Sequence, residues 1–347
     1  MRSVTTWKKS SNKKSPSMHY VAARYISVIL SIFLMWSCGT NEHELPPDID
    51  FRQEMRDFVM DMSAYAKSIH PDFIIIPQNG QELITDNGES DGIPETLYLN
   101  AIDATGREDL LYGYDRDDRE TPEEDIQHML DLCLICVQNN VKVLVTDYCS
   151  TPDKMDNSYQ LNEQYGFISF AAEERDLNSL PSYPDKPYNE NAEDIQSISQ
   201  ARNFLYLINS GEFDSRQDFI SAVSETNFDA VIIDLFHDEA SFTSGEIAQL
   251  KVKQNGAKRL VICYMSIGEA EDYRFYWQKE WKIGNPVWLE KENPDWDGNY
   301  KVRYWEPDWQ KIIYGTSSSY LDKILDIDFD GVYLDIIDGF EYFEEWD

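Results

Sequence analysis

Acidic side chains recur where short apolar segments of this chain end. Apolar segments run into Asp103, Asp147, Asp234 and Asp335, and Glu269 follows a fifth segment. If each segment is a strand of one parallel sheet, these residues meet at the carboxyl ends of the strands, where active sites of such folds are built. An aspartate there often only caps the next helix, and for Asp103 and Asp147 this alternative has equal weight. Helix capping alone does not explain acidic residues at five such positions.

Converging carboxylates serve two chemistries. One is the binding of a divalent cation through oxygen ligands. The other is glycoside hydrolysis, in which one carboxylic acid protonates the leaving oxygen and a second carboxylate acts as nucleophile or as base for water. Crowded like charges raise the pKa of one member, which then keeps its proton near neutral pH. The sequence has no GxSxG serine motif, no paired histidines with zinc-protease spacing and no glycine-rich nucleotide motif, so no cofactor is expected.

The segments that must position these residues alternate between helix and strand. Apolar spacing predicts helices over 51–69, 121–139, 153–164, 215–226, 243–255 and 308–326. Strands are predicted over 73–76, 97–102, 141–145, 167–171, 204–208, 230–233, 260–265 and 332–334. Thr121 and Thr243 are expected to open their helices with capping boxes. Eight such units favour a closed (β/α)₈ TIM barrel over a doubly wound open sheet.

The first 37 residues differ from the rest of the chain. They hold six lysines and arginines and no acidic residue, and the apolar run 25–36 is too short to span a bilayer. With Ser37 before Cys38, this order resembles a bacterial lipoprotein leader. It predicts a signal peptide over 1–37, a lipidated Cys38 and a polar tether over 38–50; an ordinary signal peptide or an uncleaved anchor are the alternatives. The protein would be exported and held by its lipid at a bacterial membrane, in the periplasm or at the cell surface.

The remaining residues, 51–347, are predicted to form one domain, with the proline-containing stretch 173–200 linking its halves. A formal net charge of −34 excludes a nucleic-acid binder. The acidity serves solubility or attracts a cationic substrate. Cys133 and Cys136 have CxxC spacing but lie in an apolar helical run, which favours packing over redox or metal chemistry. A monomer is expected, with the lipid as its only membrane contact.

Tryptophans are concentrated between residues 273 and 309. Aromatic faces stack on sugar rings, and this excursion follows a predicted strand end. Most of the six tryptophans are expected to pack within the loop. Trp296 and Trp305 are the best candidates for a sugar-binding surface, because turn-forming residues surround them.

Three segments carry a family resemblance. They are Val261-Ile-Cys-Tyr-Met-Ser-Ile-Gly-Glu-Ala-Glu-Asp-Tyr-Arg274, Asn299-Tyr-Lys-Val-Arg-Tyr-Trp-Glu-Pro-Asp-Trp309 and Phe329-Asp-Gly-Val-Tyr-Leu-Asp-Ile-Ile-Asp-Gly-Phe340. They resemble the endo-α-1,4-polygalactosaminidase family of glycoside hydrolases, above all its bacterial and archaeal branch of extracellular glycosidases. Some members carry a label relating them to cysteinyl-tRNA synthetase, but neither HIGH nor KMSKS occurs here. The resemblance implies a TIM barrel that hydrolyses a polysaccharide, such as an α-1,4-linked amino-sugar polymer.

The order of the resembling segments departs from the family. Residues 72–83 and 98–109 are similar to segments that normally follow the strand ending in Asp335, but here they precede it. The resemblance therefore implies a circularly permuted barrel, whose seam lies between strands 73–76 and 332–335. Termini that lie close together make such rearrangements tolerable.

The resemblance also implies site residues. Asp335, with Asp338 as its ambiguous neighbour, corresponds to the family's catalytic aspartate and is expected to act as nucleophile or charge stabiliser. Glu108 corresponds to the family's acid/base, with Asp103 as the alternative acid. The expected substrate-holding residues are Asp234, Glu269, Tyr264, Asp338, Asp103, Asp147, Arg303, Trp296 and Trp305. Two rival functions remain open: a surface lipoprotein that binds carbohydrate without hydrolysing it, and a metal-dependent hydrolase.

Overall fold

The computed structural model describes residues 45–46 and 48–346. The predicted leader, Cys38 and most of the tether lie outside the described residues. The strands are β1 (Ile74–Pro77), β2 (Ala104–Glu108), β3 (Lys142–Tyr148), β4 (Ile168–Ala172), β5 (Phe204–Tyr206), β6 (Ala230–Asp234), β7 (Phe236–His237), β8 (Ala240–Ser241), β9 (Leu260–Ser266), β10 (Glu269–Glu271), β11 (Leu289–Glu292), β12 (Asn299–Val302) and β13 (Gly331–Asp335).

The helices are α1 (Phe51–Ile69), α2 (Thr96–Ala101), α3 (Glu123–Gln138), α4 (Pro152–Tyr165), α5 (Arg216–Ser224), α6 (Ser244–Leu250), α7 (Pro307–Ile313), α8 (Tyr320–Asp326) and α9 (Gly339–Glu344). Helix α1 covers the predicted range. The Asp50 side chain caps it by accepting a hydrogen bond from the Gln53 amide at 3.0 Å, and its apolar stripe, including Met55 and Phe58, is buried.

Eight strands run parallel in two sheets, of order β1-β13-β9-β6-β5 and β2-β3-β4. A parallel bridge between Gln78 and Gly106 joins the end of β1 to β2. Strands β4 and β5 are neighbours, and Phe170 packs against Phe204 with ring centroids 5.9 Å apart, but no ladder joins these two strands among the described residues. The fold is therefore mixed α/β with parallel sheets, and closure of all eight strands into one barrel stays a prediction.

The two strands at the predicted seam are hydrogen-bonded to each other. Strand β1 pairs with β13 in parallel, with Ile74 opposite Gly331 and Pro77 opposite Leu334. The predicted pairing of these strands is therefore confirmed. It places the start of the domain beside its end, although the paired positions are 257 residues apart in the sequence.

Three predicted elements are wrong in position or kind. The apolar stretch 97–102 is not a strand but contains most of helix α2; the strand is the next segment, β2, which is polar and contains Gly106. The helix predicted over 243–255 ends at Leu250. The helix predicted over 308–326 is two helices, α7 and α8, because the chain turns at Gly315, whose φ of 92° is left-handed.

The two predicted capping boxes have different outcomes. Thr243 and Glu246 form the reciprocal pair at the start of α6, as predicted. Thr121 does not cap α3. The residue before this helix is Pro122, and the Thr121 hydroxyl donates instead to the Asp109 carbonyl oxygen at 2.8 Å, so it fastens the loop after β2.

The stretch 173–200 has little regular structure but is firmly attached. It binds to a buried ion pair outside the stretch. In this pair, Lys253 Nζ lies 2.5 Å from Asp229 Oδ1. Asp229 also accepts hydrogen bonds from the Asn191 amide group at 2.9 and 3.0 Å and from the Arg202 backbone at 2.8 Å. Lys253 donates as well to the Glu193 carbonyl oxygen. The early end of α6 has a physical reason here, since the chain leaves the helix to bury Lys253.

Candidate active site

A cavity of about 630 Å³ opens at the carboxyl ends of the parallel strands. Its wall includes the last residue of β2, of β6 and of β13, which are Glu108, Asp234 and Asp335. Seven carboxylates and two arginines line it. The seven carboxylates belong to Glu108, Asp234, Asp238, Glu269, Glu271, Asp335 and Asp338, and the arginines are Arg175 and Arg274.

Asp335 is fixed by its neighbours on both sides. Its Oδ2 accepts a hydrogen bond from the Tyr264 hydroxyl at 2.5 Å, and its Oδ1 accepts one from the Ile336 amide at 2.9 Å. Ile336 has a φ of 58°, a left-handed conformation that is costly for a β-branched residue and is typical of functional sites. Gly268 permits it, because a Cβ there would lie 2.2 Å from the Ile336 carbonyl oxygen.

Glu108 is held in a similar way at the end of β2. Its Oε1 accepts a short hydrogen bond from the Tyr148 hydroxyl, and its Oε2 accepts one from the Asn79 amide group at 3.1 Å. Asn79 also accepts from the Glu108 backbone amide at 3.1 Å. The side chain is therefore oriented by β3 and by the loop after β1.

A tyrosine lies beneath the two carboxylates. The hydroxyl of Tyr333 is buried and has no hydrogen-bond partner, and its ring lies 5.1 Å from the ring of Tyr206. It passes so close to β2 that a Cβ at position 106 would come within 2.0 Å of the hydroxyl. Gly106 is therefore required by close packing rather than by a turn.

Burial and mutual repulsion raise the pKa of several carboxyls in this wall. The pKa of Asp335 rises to about 7, first because of desolvation and next because of the negative charge of Glu108. Desolvation also raises the pKa of Asp338 to about 6, although Lys301 and Arg107 counteract the rise. The cavity therefore carries less negative charge near pH 7 than its carboxylates suggest.

Asp234 is paired with an arginine. Arg274 contacts both of its carboxylate oxygens, at 2.9 and 2.8 Å, and its Nε lies 2.6 Å from Glu271 Oε2. Desolvation raises the pKa of Asp234, and the guanidinium of Arg274 opposes this rise. Such a bidentate bridge is rigid, so Asp234 lines the cavity as half of an ion pair.

Glu269 is fully buried and holds a turn. Lys301 Nζ lies 2.7 Å from its Oε1, which also accepts from the Asn293 amide group at 2.8 Å, and its Oε2 accepts from the Asn299 amide group at 3.3 Å. Asn293 and Asn299 flank the turn between β11 and β12. Glu269 thus ties that turn to the end of β9, and the turn carries Trp296 to the cavity.

Two predicted site residues lie away from the cavity. Asp103 precedes β2 and is at the opposite end of that strand from Glu108; it accepts from the Ile75 amide at 2.9 Å and pairs with Lys67 at 3.0 Å. Asp147 is fully buried and accepts from the Leu111 and Tyr112 amides, Ser158 and Asn162. It fastens the loop after β2 to α4. The predicted position of these two aspartates at the mouth is therefore wrong.

Two further predictions of position are wrong. Arg303 is buried and its Nε lies 2.6 Å from Glu290, and it does not line the cavity. Trp305 is partly buried and packs against Phe51 and Phe343, with ring centroids 5.2 and 4.6 Å away. Turn-forming residues are thus near Trp305 in the sequence, but they do not expose its ring. Trp296, Tyr264 and Asp338, by contrast, do line the cavity.

Several cavity residues were missed by sequence reasoning. Asn79 lies just beyond the predicted strand 73–76, and Tyr148 is the last residue of an apolar strand. Tyr273 and Arg274 stand within a segment that resembles the family, and their spacing alone gives no reason to single them out. Arg175 comes from the stretch predicted as a linker; its guanidinium lies 4.1 Å from the centroid of the Tyr148 ring and pairs with Asp109 at 2.7 Å.

Among the described residues, no group of three or more His, Cys, Asp or Glu side chains is placed to hold a metal ion. Within that same part of the chain, no helix is long and apolar enough to cross a membrane. The four cysteines of the described part are buried thiols, with Cys133 and Cys136 packed in the core as predicted.

A mixed α/β fold with carboxylates gathered at the ends of its parallel strands has the features of a glycoside hydrolase. Residues 189–346 match the model of Glycoside-hydrolase family GH114, the endo-α-1,4-polygalactosaminidase family. The match supports the resemblance seen in the motifs and suggests a glycosidase. It includes Asp335 but not Glu108.

The chain is also similar to three proteins described as uncharacterized. It is 41% identical over 182 residues to one from Methanocaldococcus jannaschii, covering 52% of this chain and 49% of that protein. It is 42% identical over 125 residues to one from Deinococcus radiodurans and 41% identical over 124 residues to one from Thermotoga maritima. These matches cover 36% and 35% of this chain, and 38% and 36% of the two relatives. The matched part thus spans half or less of each relative.

Proposed function

We propose that this protein hydrolyses a glycan with Asp335 and Glu108 as its two catalytic carboxyls. The observation that carries the proposal is their arrangement. They end β13 and β2, the two strands that flank β1, both line the cavity, and each accepts a hydrogen bond from a tyrosine of a neighbouring strand. Two carboxyls facing one cavity are what glycoside hydrolysis requires.

Asp335 is suited to hold a proton near neutral pH. The pKa of Asp335 is raised to about 7 by burial and by the charge of Glu108, so that Asp335 keeps its proton below that pH. Hydrolysis needs one protonated and one ionised member. The family resemblance implies that Asp335 is the nucleophile, which acts in its ionised form, and that Glu108 is the acid/base.

The substrate that we propose is an α-1,4-linked amino-sugar polymer. Both arginines of the cavity are paired with carboxylates, Arg274 with Asp234 and Glu271 and Arg175 with Asp109 and Asp117. The remaining lining is acidic, which favours sugars that carry an ammonium group over anionic sugars. This inference agrees with the name of the matched family.

The test is release of reducing ends from α-1,4-linked polygalactosamine. Asp335→Asn and Glu108→Gln should each lower the rate at least about 100-fold, the scale of losing a nucleophile or an acid/base group. Asp103→Asn is the matched control, because this aspartate was the alternative acid and lies outside the cavity. Full activity of Asp335→Asn would refute the proposal, and abolition by a chelator would favour a metal-dependent reaction.

The same assay separates hydrolysis from binding alone. A wild-type protein that binds the polymer in calorimetry and never releases reducing ends would be a carbohydrate-binding lipoprotein on this scaffold. For an active protein, azide can be added to the two variants. A retaining enzyme forms a glycosyl azide of inverted configuration when its nucleophile is removed and of retained configuration when its acid/base is removed, so the product assigns the two roles.

We further propose that the eight parallel strands close into a barrel with a circularly permuted order. The pairing of β1 with β13 and the bridge from β1 to β2 support this. Joining the present ends of the domain by a short glycine-rich linker and opening the chain within 178–190 should give a folded protein that hydrolyses the same substrate. Failure of this variant to fold would count against the permutation.

The localisation is likewise a proposal. The order of basic, apolar and small residues before Cys38 supports export and lipidation at that cysteine. Mass spectrometry of the membrane fraction should find a lipid-modified Cys38 as the first residue. An intact N-terminus with unmodified Cys38 would contradict it.

A further inference from the structure

Two exposed aromatic rings stand at the rim of the cavity. Tyr273 is 63% exposed and Trp296 is 56% exposed, and among the large exposed apolar side chains of the described residues only these two line the cavity. Aromatic faces stack on sugar rings, so two exposed aromatic rings at the rim of a polar cavity are candidates for binding sugar.

Buried polar groups hold the Tyr273 ring and the turn that carries Trp296. The Tyr273 hydroxyl donates to Glu271 Oε1 at 2.6 Å, and the guanidinium of Arg274 lies over the ring, 5.3 Å from its centroid. Arg274 is itself fixed by Asp234. One face of the Tyr273 ring is therefore covered by a fixed cation. The exposed part of the side chain is the rest of its surface.

The ring of Trp296 is carried by a turn with anchors at both ends. The Trp296 amide donates to the Asn293 carbonyl oxygen at 3.3 Å, and the Asn299 amide donates to the Trp296 carbonyl oxygen at 3.1 Å. The side chains of Asn293 and Asn299 both donate to the buried Glu269. The buried Glu269 therefore fixes the turn that presents the Trp296 ring at the rim of the cavity.

The topology sets these rings apart from the catalytic pair. Around the cavity, Glu108 follows β2, Asp335 follows β13, and the segment that carries Tyr273 and Trp296 follows β9. Since β13 lies between β1 and β9 in the sheet, the rings are on the far side of Asp335 from Glu108. A sugar stacked on the rings therefore lies on the side of Asp335 away from Glu108.

We propose that Tyr273 and Trp296 form a further subsite, which stacks on the ring of a sugar outside the pair joined by the bond that is cleaved. The subsite rests on the proposed function for its substrate class, a polysaccharide, but uses none of the catalytic groups. It makes the protein selective for long chains, because only a long oligosaccharide occupies the catalytic pair and the rim together.

The test compares α-1,4-linked galactosamine oligosaccharides of two to eight units. In Trp296→Ala and Tyr273→Ala, the loss of kcat/KM should grow with chain length and should be at least about 10-fold larger for the octamer than for the shortest oligomer that is hydrolysed, the scale of a lost aromatic stacking contact. Ile283→Ala is the matched control; Ile283 is 57% exposed in the same excursion but does not line the cavity. Equal losses at all lengths, or no loss, would overturn the subsite.

Binding separates this proposal from the proposed function. Calorimetry with the octamer is carried out on the Asp335→Asn protein, alone and combined with Trp296→Ala or Ile283→Ala. Weaker binding with Trp296→Ala only would support the subsite even if Asp335→Asn proved fully active and the assigned catalytic pair were therefore wrong. Unchanged octamer binding with Trp296→Ala, or no octamer binding by any variant, would overturn the subsite.

Discussion

Replacing Asp335 by asparagine should stabilise the protein at alkaline pH relative to acidic pH, while it removes hydrolysis. In the folded protein the pKa of Asp335 is about 7, whereas an unperturbed aspartate titrates near 3.8. Between these values the folded state keeps a proton that the unfolded state has released. The free energy of unfolding therefore falls as the pH rises through this window, and the asparagine variant lacks this loss.

The same pKa gives the size of the expected change in the free energy of unfolding. Between pH 5 and the pKa of about 7, each pH unit changes the free energy of unfolding by about 1.4 kcal/mol, so the variant gains up to about 3 kcal/mol on the wild type from pH 5 to pH 8. Asp335 is only partly buried, and because solvent screens its charge we expect about half of this, roughly 1.5 kcal/mol. The weakened hydrogen bond from the Ile336 amide affects both pH values equally and cancels.

Urea unfolding followed by tryptophan fluorescence at pH 5, 6.5 and 8 measures this difference. Asp308→Asn is the control, because the side chain of Asp308 is 79% exposed and its partner is Lys311 on the surface; its effect should stay within about 0.5 kcal/mol at every pH. If Asp335→Asn changed stability by the same amount at pH 5 and pH 8, the carboxyl would titrate normally. The argument that Asp335 holds a proton near pH 7 would then fail.

Two further predictions concern packing. Lys253→Met should lower the free energy of unfolding by about 3 kcal/mol, because Asp229 would remain buried without its cation; Lys311→Met, at an exposed pair, should cost less than about 1 kcal/mol, and equal effects would contradict a role for burial. Gly106→Ala should cost about 1–3 kcal/mol through its clash with the Tyr333 hydroxyl. Adding Tyr333→Phe should recover part of that loss in the same urea assay, and no recovery would mean that the clash lies elsewhere.

The alternation of helices and parallel strands could be predicted from the sequence because most strands are continuous apolar runs. Strand β9 is buried at all seven positions, and β1 at all four. Strand β2 was not predicted because polar residues and a glycine, rather than apolar side chains, occupy its inner surface. Thr105 hydrogen-bonds to the Gln81 side chain and to the Pro77 carbonyl oxygen, and Gly106 makes room for a tyrosine. Its sequence therefore lacks the apolar residues that mark a strand.

The carboxylates at the mouth could be predicted in kind but not in detail. Whether Glu269 faces substrate or holds a turn depends on Asn293 and Asn299, which are 24 and 30 residues further along the chain. Likewise, the ion pair of Asp234 depends on Arg274, 40 residues away. The spacing of residues near a carboxylate does not show which distant side chains will pair with it. A buried structural carboxylate and a substrate-binding one therefore look alike in the sequence.

Comparison of Asp147 with Asp335 shows which feature of the sequence distinguishes a cavity-lining aspartate from a structural one. Both follow apolar strands, and a strand buried on both faces has no polar alternation to tell which side chains point inward. The tyrosines supply that information: Tyr148 and Tyr264 line the cavity, and Tyr333 lies beneath it against Gly106. Side chains two positions apart share a face of a strand. Asp335 is two residues after Tyr333 and therefore faces the cavity, whereas Asp147 is one residue before Tyr148 and must face the surrounding helices, where Ser158 and Asn162 of α4 bind it.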